Sequence, residues 1–130
     1  MKLNFPNNLK SKIHYDFNLS KSTWFQTDSK VDIFCNVYDT TELKQILKAI
    51  PEEIPILIIG VGSNILIRNG GFRGVIIKLV KDFSKISINE KSLIVGSGVL
   101  DSTLAKFSYE NSIKNLEFYI GIPGTIGGAI

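Results

Sequence analysis

The sequence predicts a mixed α+β fold with more strand than helix, and three observations carry that expectation. Ile and Val dominate the apolar residues, a composition that suits pleated, partly buried strands. From residue 31 onward, short apolar runs alternate with glycine- and asparagine-containing breaks, the punctuation of strands and turns. Helical spacing of apolar residues is confined to two stretches.

Taken in order, residues 1–22 are polar and rich in Asn, Lys and Ser, and are predicted to form an extended leader. Thr23-Trp24-Phe25 introduces apolar bulk, and residues 31–37 alternate as a half-buried strand would. Asp39 and Glu42 have the spacing of an N-cap with a reciprocal capping partner. Leu43, Ile46, Leu47 and Ile50 then recur on one helical face, and Pro51 marks the stop. Residues 54–59 form a nearly continuous apolar run, predicted to be a buried strand. The loop Gly60-Val61-Gly62-Ser63-Asn64 follows, and Ile65-Leu66-Ile67 is predicted to be a further strand. Asn69-Gly70-Gly71 supplies a turn before a strand at 75–79, and the Asn89-Glu90-Lys91 turn joins strands at 86–88 and 92–95. Gly96-Ser97-Gly98 breaks the pattern ahead of a second helix capped by Asp101, with Leu100, Leu104 and Phe107 on one side. Residues 116–120 are apolar and lead into a final glycine-rich run, residues 121–130.

A chain of 130 residues can bury one sizeable core. Its net charge of +3 is carried by dispersed lysines, with Arg68 and Arg73 as the only arginines. No basic face of the kind that binds nucleic acid is present, whereas small anionic ligands are compatible with this charge. Cys35 is the lone cysteine, which excludes an internal disulfide and a cysteine-rich metal site, and its strand neighbours predict an inert buried thiol. The first nine residues lack the apolar core of a secretory signal, and no apolar run is long enough to span a bilayer. A soluble, cytoplasmic protein is expected, and nothing in the sequence specifies its oligomeric state.

The chemistry is expected in the two glycine loops. A dinucleotide-binding Gly-x-Gly-x-x-Gly turn opens a helix, but Ile65 stands where its third glycine belongs, and an apolar run follows. The P-loop pattern also fails, because no Gly-Lys-Ser/Thr is present. What remains is a loop whose successive backbone N–H groups can hold an anion, with Ser63 and Asn64 as further donors, or else an ordinary hairpin turn. The terminal loop has small residues spaced to let backbone run along a flat ligand, or else forms a glycine-rich helix entry. Gly96-Ser97-Gly98 is a third candidate contact, more simply read as the turn into the second helix. His14 lies in the polar leader, and Asp16 and Asp82 have no partner at acid–base or metal spacing. Trp24 and Tyr119 could stack on a ring, although core packing is the commoner role. Arg68 and Arg73 flank the Gly70-Gly71 turn and read as exposed turn residues with a phosphate role as the alternative.

Thr23-Trp24-Phe25, the Gly60-Val61-Gly62-Ser63-Asn64 loop and Gly70-Gly71-Phe72-Arg73-Gly74-Val75-Ile76-Ile77 occur in an order that resembles the bacterial UDP-N-acetylenolpyruvoylglucosamine reductases. Leu116-Glu117-Phe118 and Gly121-Ile122-Pro123-Gly124-Thr125-Ile126-Gly127-Gly128-Ala129 are similar to that family's strongest signature. The resemblance runs from about Thr23 to Ile130. It implies an FAD-binding fold of the vanillyl-alcohol oxidase type, built from two α+β subdomains, with residues 23–80 as the first and 81–130 as the start of an incomplete second. It implies FAD contacts from Gly60, Val61, Gly62, Ser63 and Asn64 in one loop and from Pro123, Gly124, Thr125, Gly127 and Gly128 in the other. It further implies that NADPH reduces the flavin, which passes hydride to the enolpyruvyl group of a UDP-sugar in peptidoglycan synthesis.

The chain departs from the family twice. A Gly-Gly turn usual after the Trp-Phe pair is replaced here by Gln26-Thr27-Asp28-Ser29-Lys30. The catalytic serine, glutamate and arginine, and the substrate domain, are expected beyond Ile130. These 130 residues alone are therefore predicted to lack reductase activity. The alternatives are a non-catalytic remnant or flavin-binding fragment, and a different flavin oxidase of the same fold. No metal is expected.

Overall fold

The structure is a computed structural model that describes residues 2–90 and 92–130. Strands β1 (Lys12–Asn18), β2 (Lys30–Val37), β3 (Ile56–Ile59) and β4 (Phe72–Leu79) form one sheet in the order β1-β2-β4-β3. β1 runs antiparallel to β2, while β2, β4 and β3 are parallel. A separate hairpin joins β5 (Ile86–Asn89) to β6 (Ser92–Val95). Among the described residues, three α-helices, α1 (Thr40–Ala49), α2 (Asp101–Glu110) and the short α3 (Ile126–Ala129), and two 3-10 turns, Lys81–Ser84 and Glu117–Gly121, complete the element order. The mixed α+β reading holds, and the hairpin pairs as the sequence predicts, although Lys91 of its turn lies outside the described residues.

Both faces of the central strands are covered, whereas β3, expected from its apolar run to be buried, is an edge strand that leaves Ile56 and Ile58 exposed. On one face Ile33, Cys35, Val37, Val75 and Ile77 meet Ile46 and Ile50 of the α1 region. On the other, Val31, Phe34, Ile59 and Ile76 meet Leu19 and Ile67. Central parallel strands must be apolar on both sides, so β2 is not the half-buried strand that alternation predicts. The β2–β4 pairing shifts register between Val31 and Ile33, with the extra residue on β4, and Val31 packs in the same cluster as Phe34.

The 65–67 run is also not a strand. β3 and β4 are parallel, so the chain between them must cross back over the sheet, and Ile65 and Ile67 pack on the second face as it does so. Their apolar character comes from burial beneath this crossing. Gly71 N–H donates to Arg68 O at 2.8 Å, closing the Asn69-Gly70-Gly71 turn with Gly71 at φ +75°.

The 1–22 stretch, read from composition as a leader, contributes an edge strand and the fully buried Leu19. Its attachment depends on Glu42. Asp39 caps α1 as predicted, its Oδ1 accepting from Glu42 N at 2.8 Å. The reciprocal half of the box does not form. The Glu42 carboxylate instead accepts from Lys10 N (2.6 Å), Ser11 N (2.8 Å) and the Ser11 hydroxyl. Ser11 Oγ in turn accepts from Tyr38 N at 3.0 Å.

The departure at residues 26–30 closes without glycine. Thr27 Oγ1 donates to Ile67 O at 2.6 Å, and Leu19 N donates to Ser29 O at 2.8 Å. The turn is therefore tied both to the crossing segment and to the end of β1.

Candidate functional site

β3 delivers the first glycine loop to the edge of the sheet, and the turn after residues 117–121 delivers the second. A cleft of about 190 Å³ lies between them. Gly60, Val61, Gly62, Ser63 and Asn64 line one side, and Pro123, Gly124, Thr125 and Gly128 line the other. Gly127 does not reach the cleft lining. Its N–H donates to Ser97 O at 2.9 Å, and a Cβ there would stand 2.8 Å from Ser97 Cβ. The Gly96-Ser97-Gly98 segment thus supports the terminal loop without lining the cleft.

Polar side chains tie the two loops together. Ser63 Oγ and Asn64 Nδ2 both donate to Pro123 O at 2.8 Å. These two groups, read from sequence as ligand donors, are occupied in holding the loops. Behind them, Ile126 N donates to Val99 O at 2.9 Å and Asp101 N to Gly124 O at 3.2 Å, pairing the terminal loop with the entry to α2.

The backbone amides are different. The N–H groups of Val61, Gly62, Ser63, Asn64, Gly124 and Thr125 donate to no protein acceptor among the described residues. Donors grouped on facing loops, with no lysine or arginine in the cleft lining, suit an anion held by main chain. This donor set fits the pyrophosphate of a dinucleotide cofactor. Ile58, Ile65 and Ile122 add apolar wall.

Glycine is needed where the loops meet. A Cβ on Gly60 would stand 2.3 Å from Thr125 Oγ1 and 3.3 Å from Thr125 Cβ. Gly60→Ala is expected to lower the unfolding free energy by about 1–2 kcal/mol through overpacking. Adding Thr125→Ala removes the nearer atom, and a double-mutant cycle in urea is expected to recover about half of that loss. Strict additivity of the two changes would refute the contact.

Asp101 is the cleft residue that sequence reasoning misassigned. It is the first residue of α2, not its cap; Leu100 is the cap, and no side chain caps this helix. Asp101 is fully buried at the cleft, and neither of its carboxylate oxygens has a hydrogen-bond partner. Burial pushes its carboxyl above the ordinary aspartate range.

The remaining candidates lie elsewhere. Trp24 is 66% exposed and so is not a core residue; its N–H donates to Gly62 O at 2.9 Å, placing it beside the first loop. Tyr119 packs with Val99, Leu104 and Ile126 and stacks on Phe118 at 4.3 Å. Arg73 pairs with Asp32 at 3.2 Å, and neither it nor Arg68 lines the cleft. Cys35 is buried, which pushes its thiol up to about 12. Among the described residues no group of three or more His, Cys, Asp and Glu could hold a metal. None of the described helices is long and apolar enough to cross a membrane.

The FAD binding domain family model matches residues 31–130. The UDP-N-acetylenolpyruvoylglucosamine reductase of Rickettsia typhi (strain ATCC VR-144 / Wilmington) is 44% identical over 122 residues, covering 94% of this chain and 41% of the relative. That of Rickettsia prowazekii (strain Madrid E) is 43% identical over the same length. The crystal structure of UDP-N-acetylenolpyruvylglucosamine reductase from Thermus caldophilus superposes with a TM-score of 0.71 at 26% identity, covering 92% of this chain and 41% of that one. The chain thus spans about two-fifths (41%) of the length of the curated relatives it matches.

Proposed function

Since the chain belongs to the FAD binding domain family, we propose that it holds FAD in the cleft between its two glycine loops. We propose further that it does so as part of a reductase that converts UDP-N-acetylenolpyruvoylglucosamine to UDP-N-acetylmuramate. The observation that carries the cofactor reading is that residues lining one cleft without a basic side chain bear backbone N–H groups with no protein acceptor among the described residues. The relatives' names and their similarity along nearly all of this chain support the substrate and the place in peptidoglycan synthesis.

In this reading Gly60, Val61, Gly62, Ser63 and Asn64 present main chain to the pyrophosphate, with Ser63 and Asn64 acting through their hold on Pro123. Pro123, Gly124, Thr125 and Gly128 close the opposite side, and Gly127 seats that loop on Ser97. Residues 23–80, together with β1 and Leu19 that complete their sheet and core, serve as the first subdomain and 81–130 as the beginning of the second. Bound FAD supplies the hydride chemistry, with NADPH as reductant. This chain's share is to bind and orient the dinucleotide and to shield it from water. The groups that protonate the product are assigned to the substrate-binding remainder of such a reductase.

The test is titration of the full-length protein with FAD, followed by absorbance and flavin fluorescence, and then an assay of NADPH oxidation dependent on the UDP-sugar. Saturable spectral change with substrate-dependent NADPH oxidation is expected. An unchanged flavin spectrum would overturn the cofactor reading. Flavin binding with oxygen reduction and no response to NADPH would overturn the reductase reading alone.

A further inference from the structure

Asp101 is the only ionisable side chain among the residues lining the cleft, and it is completely buried. Neither of its oxygens has a partner among the described residues. The terminal loop runs across it: a Cβ on Gly124 would stand 2.9 Å from Asp101 Oδ2 and 4.0 Å from Asn64 Nδ2. The carboxyl therefore sits beneath the point where the two loops converge. An ionised group there would be buried without a countercharge, close to the place a pyrophosphate would occupy. We propose that Asp101 must hold its proton for FAD to bind well, so that cofactor binding is coupled to proton uptake at this side chain. The proposal rests on the FAD reading given above and assigns a positioning residue within that site.

No ionisable side chain supplies a countercharge to the carboxyl, and its position in the first turn of α2 supplies only the partial positive charge of a helix N-terminus. Neither the Gly60–Asn64 loop, the terminal loop nor the 96–100 segment packed against Asp101 contains an ionisable side chain. On its own helix, Lys106, Tyr109 and Glu110 lie outside the cleft lining, as do Glu117 and Tyr119 on the 117–121 turn that packs on α2. Lys81, Asp82 and Lys85 on the segment preceding the hairpin are exposed and likewise outside it. His14 stands on β1, at the sheet edge opposite β3.

The direction of the pH dependence follows. Burial already favours the protonated form of Asp101, and the negative charge of a bound pyrophosphate favours it further. FAD affinity is therefore highest at low pH and falls as pH rises, with a limiting slope of about tenfold per pH unit for one coupled proton. Without FAD, the raised carboxyl stabilises the fold below the ordinary aspartate range, and that contribution is lost as pH rises through the folded-state value.

The test is FAD titration of the full-length wild-type protein and its Asp101→Asn variant across a pH series from the ordinary aspartate value of about 3.9 up to about pH 8. Urea unfolding of both without FAD accompanies it. The wild-type dissociation constant is expected to rise by about tenfold or more across this range, while Asp101→Asn keeps the low-pH affinity throughout. The variant is also expected to lose the pH-dependent part of cofactor-free stability. Proton uptake on FAD binding, measured calorimetrically for the wild type in buffers of different ionisation enthalpy, reads the same coupling even if the variant does not fold.

Affinity independent of pH with no proton uptake would overturn the proposal and leave the FAD reading standing. So would affinity that strengthens as pH rises, because the ionised carboxylate would then be an acceptor for the cofactor's hydroxyl or amide groups. A folded Asp101→Asn variant that binds weakly at every pH would overturn it as well. Failure of the wild type to bind FAD at any pH would overturn both.

Discussion

Replacing Gly62 with alanine is expected to destabilise the protein by about 3 kcal/mol or more and to weaken FAD binding by on the order of a hundredfold. Two costs combine. Gly62 has φ +74°, a left-handed conformation that costs an L-residue roughly 1–2 kcal/mol. An added Cβ would also stand 2.1 Å from Ser22 O and 3.0 Å from Thr23 Cα. Both atoms are main chain, held by the Trp24 N–H bond to Gly62 O, so neither can turn aside as a side chain would. The loop must move, and its N–H groups then no longer converge on the cleft. Gly70→Ala is the control, since a Cβ there meets nothing within 4 Å and is expected to cost less than about 0.5 kcal/mol. Urea midpoints and FAD titrations of the two variants measure the contrast. Equal behaviour would show that the Gly62 contact with Ser22 and Thr23 does not constrain the loop.

Glu42→Ala is expected to cost about 3 kcal/mol, because it orphans several buried donors at once. Lys10 N, Ser11 N and the Ser11 hydroxyl all donate to this carboxylate, and with it gone the N-terminal segment keeps only the apolar packing of Leu3, Phe5 and Leu9 on the α1 side of the sheet. The Ser11 hydrogen bond, more than the two backbone ones, holds the Glu42 carboxyl below its ordinary range. A carboxyl lowered in the folded state contributes stability that is present above the unfolded value of about 4.3 and lost as pH falls through the folded one. Glu42→Gln keeps the shape and loses the charge, so it is expected to remove the acid-sensitive part of stability while costing less than alanine. A thermal melt series against pH reads both effects. An unchanged acid limb in the glutamine variant would show that Glu42 does not set it.

Much of the fold was legible from local pattern. The helix at 40–49 declares itself through Asp39, the Leu43/Ile46/Ile50 face and Pro51, all of which act within a few residues of one another. The β5–β6 hairpin is equally local. Both glycine loops were also legible, because close backbone approach needs glycine whatever the partner. Misreadings arose where burial came from distant chain. Leu19 and Ser11 sit in a polar stretch, yet Leu19 packs under β2 and Ser11 bonds Glu42 across 31 residues. Ile65 and Ile67 look like a strand because they are buried, but what buries them is the face of the sheet they cross.

Asp101 shows the same division at the site. An acidic residue ahead of apolar residues at helical spacing carries the sequence signature of an N-cap, and that pattern is blind to what lies above it. By itself the sequence determined the α+β class, the apolar and glycine positions, and the two glycine loops, because propensity, periodicity and steric need are local. Only the tertiary structure decided that Ser63 and Asn64 are spent on Pro123 and that Gly127 packs away from the cleft. It alone decided, too, that Asp101 lies buried beneath Gly124 without a partner. Those outcomes depend on which surfaces meet when residues some 60 positions apart are brought together, and solvation and hydrogen bonding are settled only there.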